Sequence, residues 1–435
     1  MKYRLKNFHK RFQIKDYGNY FFLTGILFLP SSFFIGILLL FPAAFIGSFL
    51  QKKTFFKDRW NYPFIIFGGL ISLSSFFQNF IINNPYDEIW NPVSSFIGLG
   101  NWIPFIWFFW ALQPYLNSKT KRKTFSLMLI ASTFPILVTG FGQYYFNWTG
   151  PFQTLNGLII WYQRPIENPG GLTGLFNHQN YAGSWLNFVW PFCIALFLEK
   201  RKDIFRRTIA FSFLCSTGLA AFLTYSRNAW IGLLTSIPII LGKKSLNIIL
   251  PVLSLILFLL FFSISPIFKG ELQTIIRSFL PTKILLEFSQ EGYEGLDTTR
   301  SMIYLSAINL IKSNPFFGIG ATSFTPIFHS ETNFWKGHSH NILLELSVSY
   351  GLPSTIIIFT TISTILFLSG RKIFLNTVAN EISLFDRAFW ASLFFFLISQ
   401  LVDIQYFDGK ISILAWLLLT SLKNIIEESE KINPI

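Results

Sequence analysis

Apolar runs of about 17–25 residues recur along this 435-residue chain, separated by short connections rich in lysine and arginine. Lipid offers the backbone no hydrogen-bond partner, so a run of that length crosses a bilayer only as a helix. The pattern therefore predicts an all-α, polytopic membrane protein of about 12 transmembrane helices, with a large external loop containing short helices. A composition that is 51% hydrophobic and only 13% charged points to one integral membrane domain over residues 1–435, in place of the soluble domains that length alone would suggest. Cys193 and Cys215 fall inside apolar runs and read as small core residues, with no disulfide or metal framework.

The runs place spans near 19–30, 32–50, 62–82, 93–113, 124–146, 181–198, 207–224, 228–242, 245–264, 341–369, 384–402 and 411–424. Pro30-Ser31-Ser32 separates the first two, either as a kink or as a turn. Charge decides between them. The N-terminus (Lys2, Arg4, Lys6, Lys10, Arg11, Lys15) and the 51–61 connection are both basic, so both are cytoplasmic and a hairpin must lie between them. The N-terminal apolar stretch reads as retained, with no cleavable signal peptide. Further basic connections, at Lys119/Lys121/Arg122/Lys123, Lys200/Arg201/Lys202/Arg206/Arg207, Lys243/Lys244 and Arg371/Lys372, fall on the same side as both termini. The net charge of +14 is thus mostly topology, and no base-reading module accompanies it, so nucleic acid is not an expected partner. Two segments on the opposite side are long enough to build structure: an external loop at 147–180 and a larger one at 265–340.

Where the larger loop meets the next span stands His338-Ser339-His340-Asn341-Ile342-Leu343-Leu344-Glu345, with two of the chain's five histidines. A neutral imidazole near pH 7 suits removal of a proton from a hydroxyl; the plainer alternative is a capping, interfacial histidine. Two histidines and a glutamate could ligate zinc, but this spacing matches no recognisable ligand set, and no metal or other cofactor is expected. If the helix begins near Ser339, Asn341 and Glu345 share a face one turn apart and support His340. His338 has no assigned role.

Arg227 lies in the tight turn Thr224-Tyr225-Ser226-Arg227-Asn228-Ala229-Trp230 on the external side. It reads either as an interfacial arginine snorkelling to headgroups or as the grip on a phosphate or carboxylate. Arg300 opens a helix predicted to run to about Lys312, capped by Thr298 or Thr299 and stopped by Asn314-Pro315. A cation there opposes the helix dipole, which marks either a functional position or a solvated loop residue. Pro315-Phe316-Phe317-Gly318-Ile319-Gly320 reads as a proline stop with flexible glycines. Between Arg164 and Asn180, turn formers lead to Asn177-His178-Gln179-Asn180, a polar helix start that either caps or touches sugar and acceptor.

Taken in order, Ser226-Arg227-Asn228-Ala229-Trp230, the Arg300 helix with Pro315 and Gly318-Ile319-Gly320, and His340-Asn341 with Leu344 and Gly351-Leu352-Pro353 resemble the O-antigen ligase/O-antigen polymerase family of bacterial membrane glycan transferases. The resemblance covers roughly 165–425; Ser354 departs from it, where many members have glycine, and the Asp403-Ile404-Gln405-Tyr406-Phe407-Asp408 turn receives no role. It implies transfer of a glycan from a polyprenyl-diphosphate carrier to a glycan or lipid acceptor, at the periplasmic face of the inner membrane and without a metal. It also implies that Arg227 and Arg300 hold the diphosphate and His340 activates the acceptor hydroxyl. Asn341, Glu345, His338, Arg164, His178 and Asn180 are then supporting or acceptor-binding residues. The competing reading is a multi-pass transporter of bicarbonate or another small anion. Such transporters place charge near the bilayer midplane within repeats, whereas here the polar residues sit at external ends and only Glu345 lies inside a span.

Overall fold

The computed structural model describes residues 16–81, 86, 88–157, 159–161, 163–166, 170–199, 203–242, 245–265, 267, 268, 270–279, 285, 299–375 and 383–432. The basic N-terminus, Asp87, Glu167, Lys200-Arg201-Lys202, Lys243-Lys244 and Thr298 lie outside those residues. The described chain is almost entirely helical. By length and composition, six of its helices can cross a membrane: Phe33–Leu50, Arg59–Phe80, Lys119–Phe146, Gln179–Leu198, Ile342–Leu375 and Gly409–Glu428. Other expected spans overlap the helices Ile204–Leu223, Arg227–Leu241, Leu246–Ile264 and Leu384–Ser399.

Residues 16–28 and Phe33–Leu50 are two helices joined by a turn, with the Ser32 side chain accepting from the Ile35 amide. They run antiparallel in close contact, since a Cβ on Gly25 would meet Leu40 and one on Gly36 would meet Leu29. Span 93–113 is different. It divides into Ser94–Leu99 and Ile103–Ala111 at Gly100-Asn101-Trp102, because Pro104 fits the first turn of a new helix but not the interior of a longer one. Ile342–Leu375 is likewise two helical segments in one run, broken at Gly351 (φ 82°) ahead of Pro353.

Gly351 is required there by a close crossing. A Cβ at Gly351 would lie 2.1 Å from the Phe316 carbonyl oxygen, while Leu352 N–H donates to Pro315 O (2.8 Å) and Ile319 N–H to Val348 O (2.7 Å). The Pro315–Gly320 segment is therefore threaded against the break and is no flexible stop. Gln78 and Ser74 donate to the carbonyls of Gly318 and Phe317 from the opposite side.

Gln179–Leu198 forms the axis of the bundle, with Trp185, Phe188, Val189 and Phe192 at or near zero exposure among Ile204–Leu223, Arg227–Leu241 and Leu384–Ser399. Cys193 is buried on that axis beside Thr217, but Cys215 faces outward and is no core residue. The segment 147–180 carries an antiparallel hairpin (Phe152–Thr154 with Ile159–Trp161), a small departure from an all-α chain, and the segment 265–340 carries the helices Glu271–Phe279, Arg300–Ser313 and Phe324–Thr332.

Candidate active site

The helix after the histidine loop begins at Ile342, later than the sequence suggested, because Asn341 caps it. Its Oδ1 accepts from the amides of Leu343 (2.9 Å) and Leu344 (3.3 Å), and its Nδ2 donates to Leu401 O (3.0 Å). Asn341 thus ties the loop to the turn after Leu384–Ser399, and its carbonyl accepts the Glu345 amide (2.9 Å) one turn on. Glu345 is buried, and its Oε2 accepts the Ser339 amide (2.8 Å). It pins the loop one residue away from His340 and forms no hydrogen bond to the ring.

His340 stands in the left-handed region (φ 56°), a conformation that costs a non-glycine residue about 1 kcal/mol or more. It is held there by the preceding histidine: the His340 amide donates to His338 Nδ1 (3.1 Å). The same turn brings the two rings edge to face, with centroids 4.5 Å apart, where a helix would have sent them in different directions. His338 therefore has a positional role that the sequence did not define.

The partner of His340 is Asp403. Nδ1 of His340 and Oδ1 of Asp403 lie 2.8 Å apart, and Asp403 Oδ2 accepts from Asn180 Nδ2 (2.7 Å) and Gln405 Nε2 (2.8 Å). Gln405 is fixed in turn, its Oε1 accepting from Gln400 Nε2 (2.9 Å) and Ser184 Oγ (3.2 Å). Gln400 Oε1 closes the turn by accepting the amides of Gln405 (2.8 Å) and Tyr406 (3.0 Å). An ionised carboxylate with donors on both oxygens takes the proton of Nδ1 as a hydrogen bond and leaves Nε2 of a neutral ring as the basic atom.

Burial favours the neutral acid at Asp403, but the hydrogen bond and charge of His340, His338 and Asn180 outweigh it and hold the carboxyl below its ordinary range. Burial pushes His338 down to about 4, helped by His340 and Arg300, so this ring is neutral at pH 7. Burial also lowers His178; Arg164 adds to the shift and Asp403 opposes it. His178 caps the bundle axis, its Nδ1 accepting the Asn180 amide (3.1 Å).

The arginines share a feature. Arg227 and Arg300 each occupy the first residue of a helix, Arg227–Leu241 and Arg300–Ser313, where unpaired amides and the dipole already attract an anion. The Thr299 hydroxyl caps the second helix through the Met302 amide (3.4 Å), and Arg300 Nη1 donates to Val402 O, next to Asp403. Arg227 is exposed on the other flank of the axis, on a turn that packs against Gly183 and whose Asn228 carbonyl accepts from Asn187 Nδ2 (3.0 Å). Structure thus gathers His338, His340, Asp403, Asn180, His178, Arg164 and Arg300 around one helix start, and the turn that carries Arg227 packs farther along the same helix at Gly183.

His338, His340 and Asp403 offer ligand atoms within 4.8 Å of one another, close enough for a metal ion. In the geometry present, however, His338 Nδ1 accepts the His340 amide and His340 Nδ1 faces the carboxylate at hydrogen-bond distance. Those contacts describe a dyad.

Asp403 is the residue that sequence reasoning missed. The signal was a carboxylate flanked by Gln400 and Gln405 between two apolar spans, more polar groups than a tight turn needs.

The fold and site together define a multi-pass membrane protein with a polar site at one end of its helices. A family model described as O-antigen ligase matches residues 210–359 of the chain. The match takes in Arg227, Arg300, His338, His340, Asn341 and Glu345, and leaves Arg164, His178, Asn180 and Asp403 outside it. No curated protein matches the chain significantly.

Proposed function

We propose that this protein transfers a glycan from a polyprenyl-diphosphate carrier to an acceptor hydroxyl, on a glycan or a lipid, at the external face of the bacterial inner membrane. His340 Nε2 takes the acceptor proton as the oxygen attacks the anomeric carbon, and Asp403 holds the ring and balances the imidazolium that forms. The bond from that carbon to the diphosphate oxygen breaks with inversion, and the diphosphate leaves with the electron pair. Arg300 and Arg227, each with the amides of a helix start behind it, offset the charge on the leaving group. Positioning and electrostatics supply the catalysis, with Glu345, Asn341 and His338 keeping His340 in place.

The observation that carries this reading is the 2.8 Å contact between His340 and Asp403, one residue from the carbonyl that receives Arg300. An imidazole and a guanidinium flank one turn, which supports a base acting beside a charged clamp. The test is transfer by purified protein from a polyprenyl-diphosphate glycan. His340→Ala, correctly inserted, is expected to lose about two to four orders of magnitude in rate. Undiminished transfer in that variant would remove the mechanism. Loss of the gene separates ligation from polymerisation: long chains accumulate on the carrier in the first case and single repeat units in the second.

A further inference from the structure

No charged residue occurs between Lys123 and Arg164, although the apolar helix Lys119–Phe146 accounts for only part of that stretch. The rest carries the hairpin Phe152–Thr154 with Ile159–Trp161, and its exposed side chains are apolar or aromatic: Trp148, Phe152, Leu155 and Trp161. Such residues scattered singly need no explanation, whereas a group of them on one short segment does.

The group continues a surface that already meets lipid in a membrane-spanning helix. Ile136, Leu137, Gly140 and Gln143 are the buried face of Phe134–Phe146, while Phe134, Val138 and Tyr145 stand exposed along its outer face. Past the helix end, Trp148 folds back over Gly142, leaving no room there for a Cβ, and its ring lies 6.3 Å from that of Phe146. In the hairpin, Phe152 and Trp161 are directly opposite, so their rings share one face. Leu155 stands beyond them in the left-handed region (φ 51°), where a turn in water would ordinarily take asparagine or glycine. A strained, exposed leucine marks a tip that meets something apolar.

The same hairpin is braced to the candidate active site. Gln163 Nε2 donates to Thr139 O (3.0 Å), and Gly150 N–H donates to Gln163 O (2.8 Å). The next carbonyl, that of Arg164, accepts from Gln143 Nε2 (2.6 Å), while Gln143 Oε1 accepts the amides of Thr173 (2.9 Å) and Gly174 (3.1 Å) on the way to His178.

We propose that Trp148, Phe152, Leu155 and Trp161 form an interfacial anchor, seated among the headgroups and upper acyl chains of the leaflet at the site's end of the bundle. The brace through Gln143 and Gln163 then fixes the depth of Arg164 and the His178 helix start relative to the lipid surface. Tryptophan suits that zone because its indole joins an apolar body to an N–H that can reach water or headgroups. An uncharged hairpin that pairs its own strands can enter it at little cost, where charged side chains could not. A sugar-binding platform would use the rings but gives no reason for Leu155 at the tip. The inference does not depend on the transfer reading.

Two measurements test it on the full-length protein, free of glycan and at one copy per nanodisc of phosphatidylethanolamine and phosphatidylglycerol. First, hydroxyl-radical footprinting of the unsubstituted protein compares Trp148 (45% exposed) and Trp161 (37%) with Trp335 (68%). The two hairpin indoles are expected to oxidise about fivefold or more slower than Trp335, a gap larger than their own exposures explain. Rates that simply follow exposure would overturn the inference, and so would protection that appears only when glycan is added, which would mark a sugar platform. Second, Leu155→Cys carries a nitroxide in a Cys215→Ser background, Cys193 being buried. Its accessibility to oxygen relative to a water-soluble nickel chelate is expected to exceed that of Glu331→Cys and approach that of Val138→Cys. A ratio equal to that at Glu331, or shielding from both reagents as in contact with a second copy, would contradict the anchor.

Discussion

Two clusters of ionisable groups occupy opposite ends of the same helices, and they are built differently. At one end of Leu384–Ser399 and Gly409–Ile432, Arg122 pairs with Asp386 (2.8 Å) and Glu428 (2.8 Å), and Lys423 with Asp58 (3.0 Å), Glu427 (3.0 Å) and Gln113 (2.8 Å). Both cations are about 1% exposed and saturated with partners. At the other end, the His340 ring keeps about a quarter of its surface exposed, with one nitrogen on Asp403 and the other available. The guanidinium of Arg300 spends one nitrogen on Val402 and is otherwise exposed. The first cluster is closed: both of its cations are buried and matched by carboxylates. The second holds His340 in a left-handed turn, with Arg300 exposed beside it.

Substitutions at the two ends should therefore separate activity from stability. His340→Ala, with its loss of about two to four orders of magnitude in transfer, is expected to leave thermal unfolding in detergent nearly unchanged. Arg122→Ala should do the reverse, since it leaves Asp386 and Glu428 without their cation; removing one partner of a buried pair typically costs about 3–5 kcal/mol. A Tm unaffected in Arg122→Ala would show that this end is no structural lock. Arg300→Lys keeps the charge and loses the planar fork, and about a tenfold fall in kcat/KM is expected, with little change in Tm. Full activity in that variant would argue against a diphosphate clamp.

The smallest effect concerns His338 and pH. Above about 6.5, its ordinary value, the ring is neutral in both folded and unfolded chains and adds no pH dependence. Between there and about 4 the unfolded chain takes up a proton that the folded one refuses, so stability falls as pH falls and levels off below. His338→Gln keeps an acceptor for the His340 amide and cannot titrate. Its Tm is expected to drop less than wild type between pH 7 and pH 4.5; identical profiles would remove the ring from the account.

Most of the helices were legible in the sequence because apolar length is a direct demand of the bilayer, and charge bias decided the hairpin at Pro30-Ser31-Ser32. The Gly100-Asn101-Trp102 break was hidden because hydropathy does not register a turn flanked by aromatic residues. Part of the candidate site stood out for a similar reason: Arg227 and His340 are polar residues at the ends of expected spans, and Arg300 is a cation opening a loop helix. Asp403 did not, because it lies 63 residues from His340 and nothing in the spacing reports which turn meets which. Glu345, near in sequence, was the expected support, and its contact is to the Ser339 amide next to His340, with none to the ring.

The central claim is that His340 and Asp403 act as one unit, and a double-mutant cycle on single-turnover transfer tests it most directly. His340→Ala, Asp403→Asn and the double variant are compared with wild type. If the carboxylate acts only through the imidazole, the double variant is expected to be no slower than His340→Ala alone, a strongly non-additive result. Losses that multiply, with the double variant slower by the product of the two single effects, would contradict the dyad.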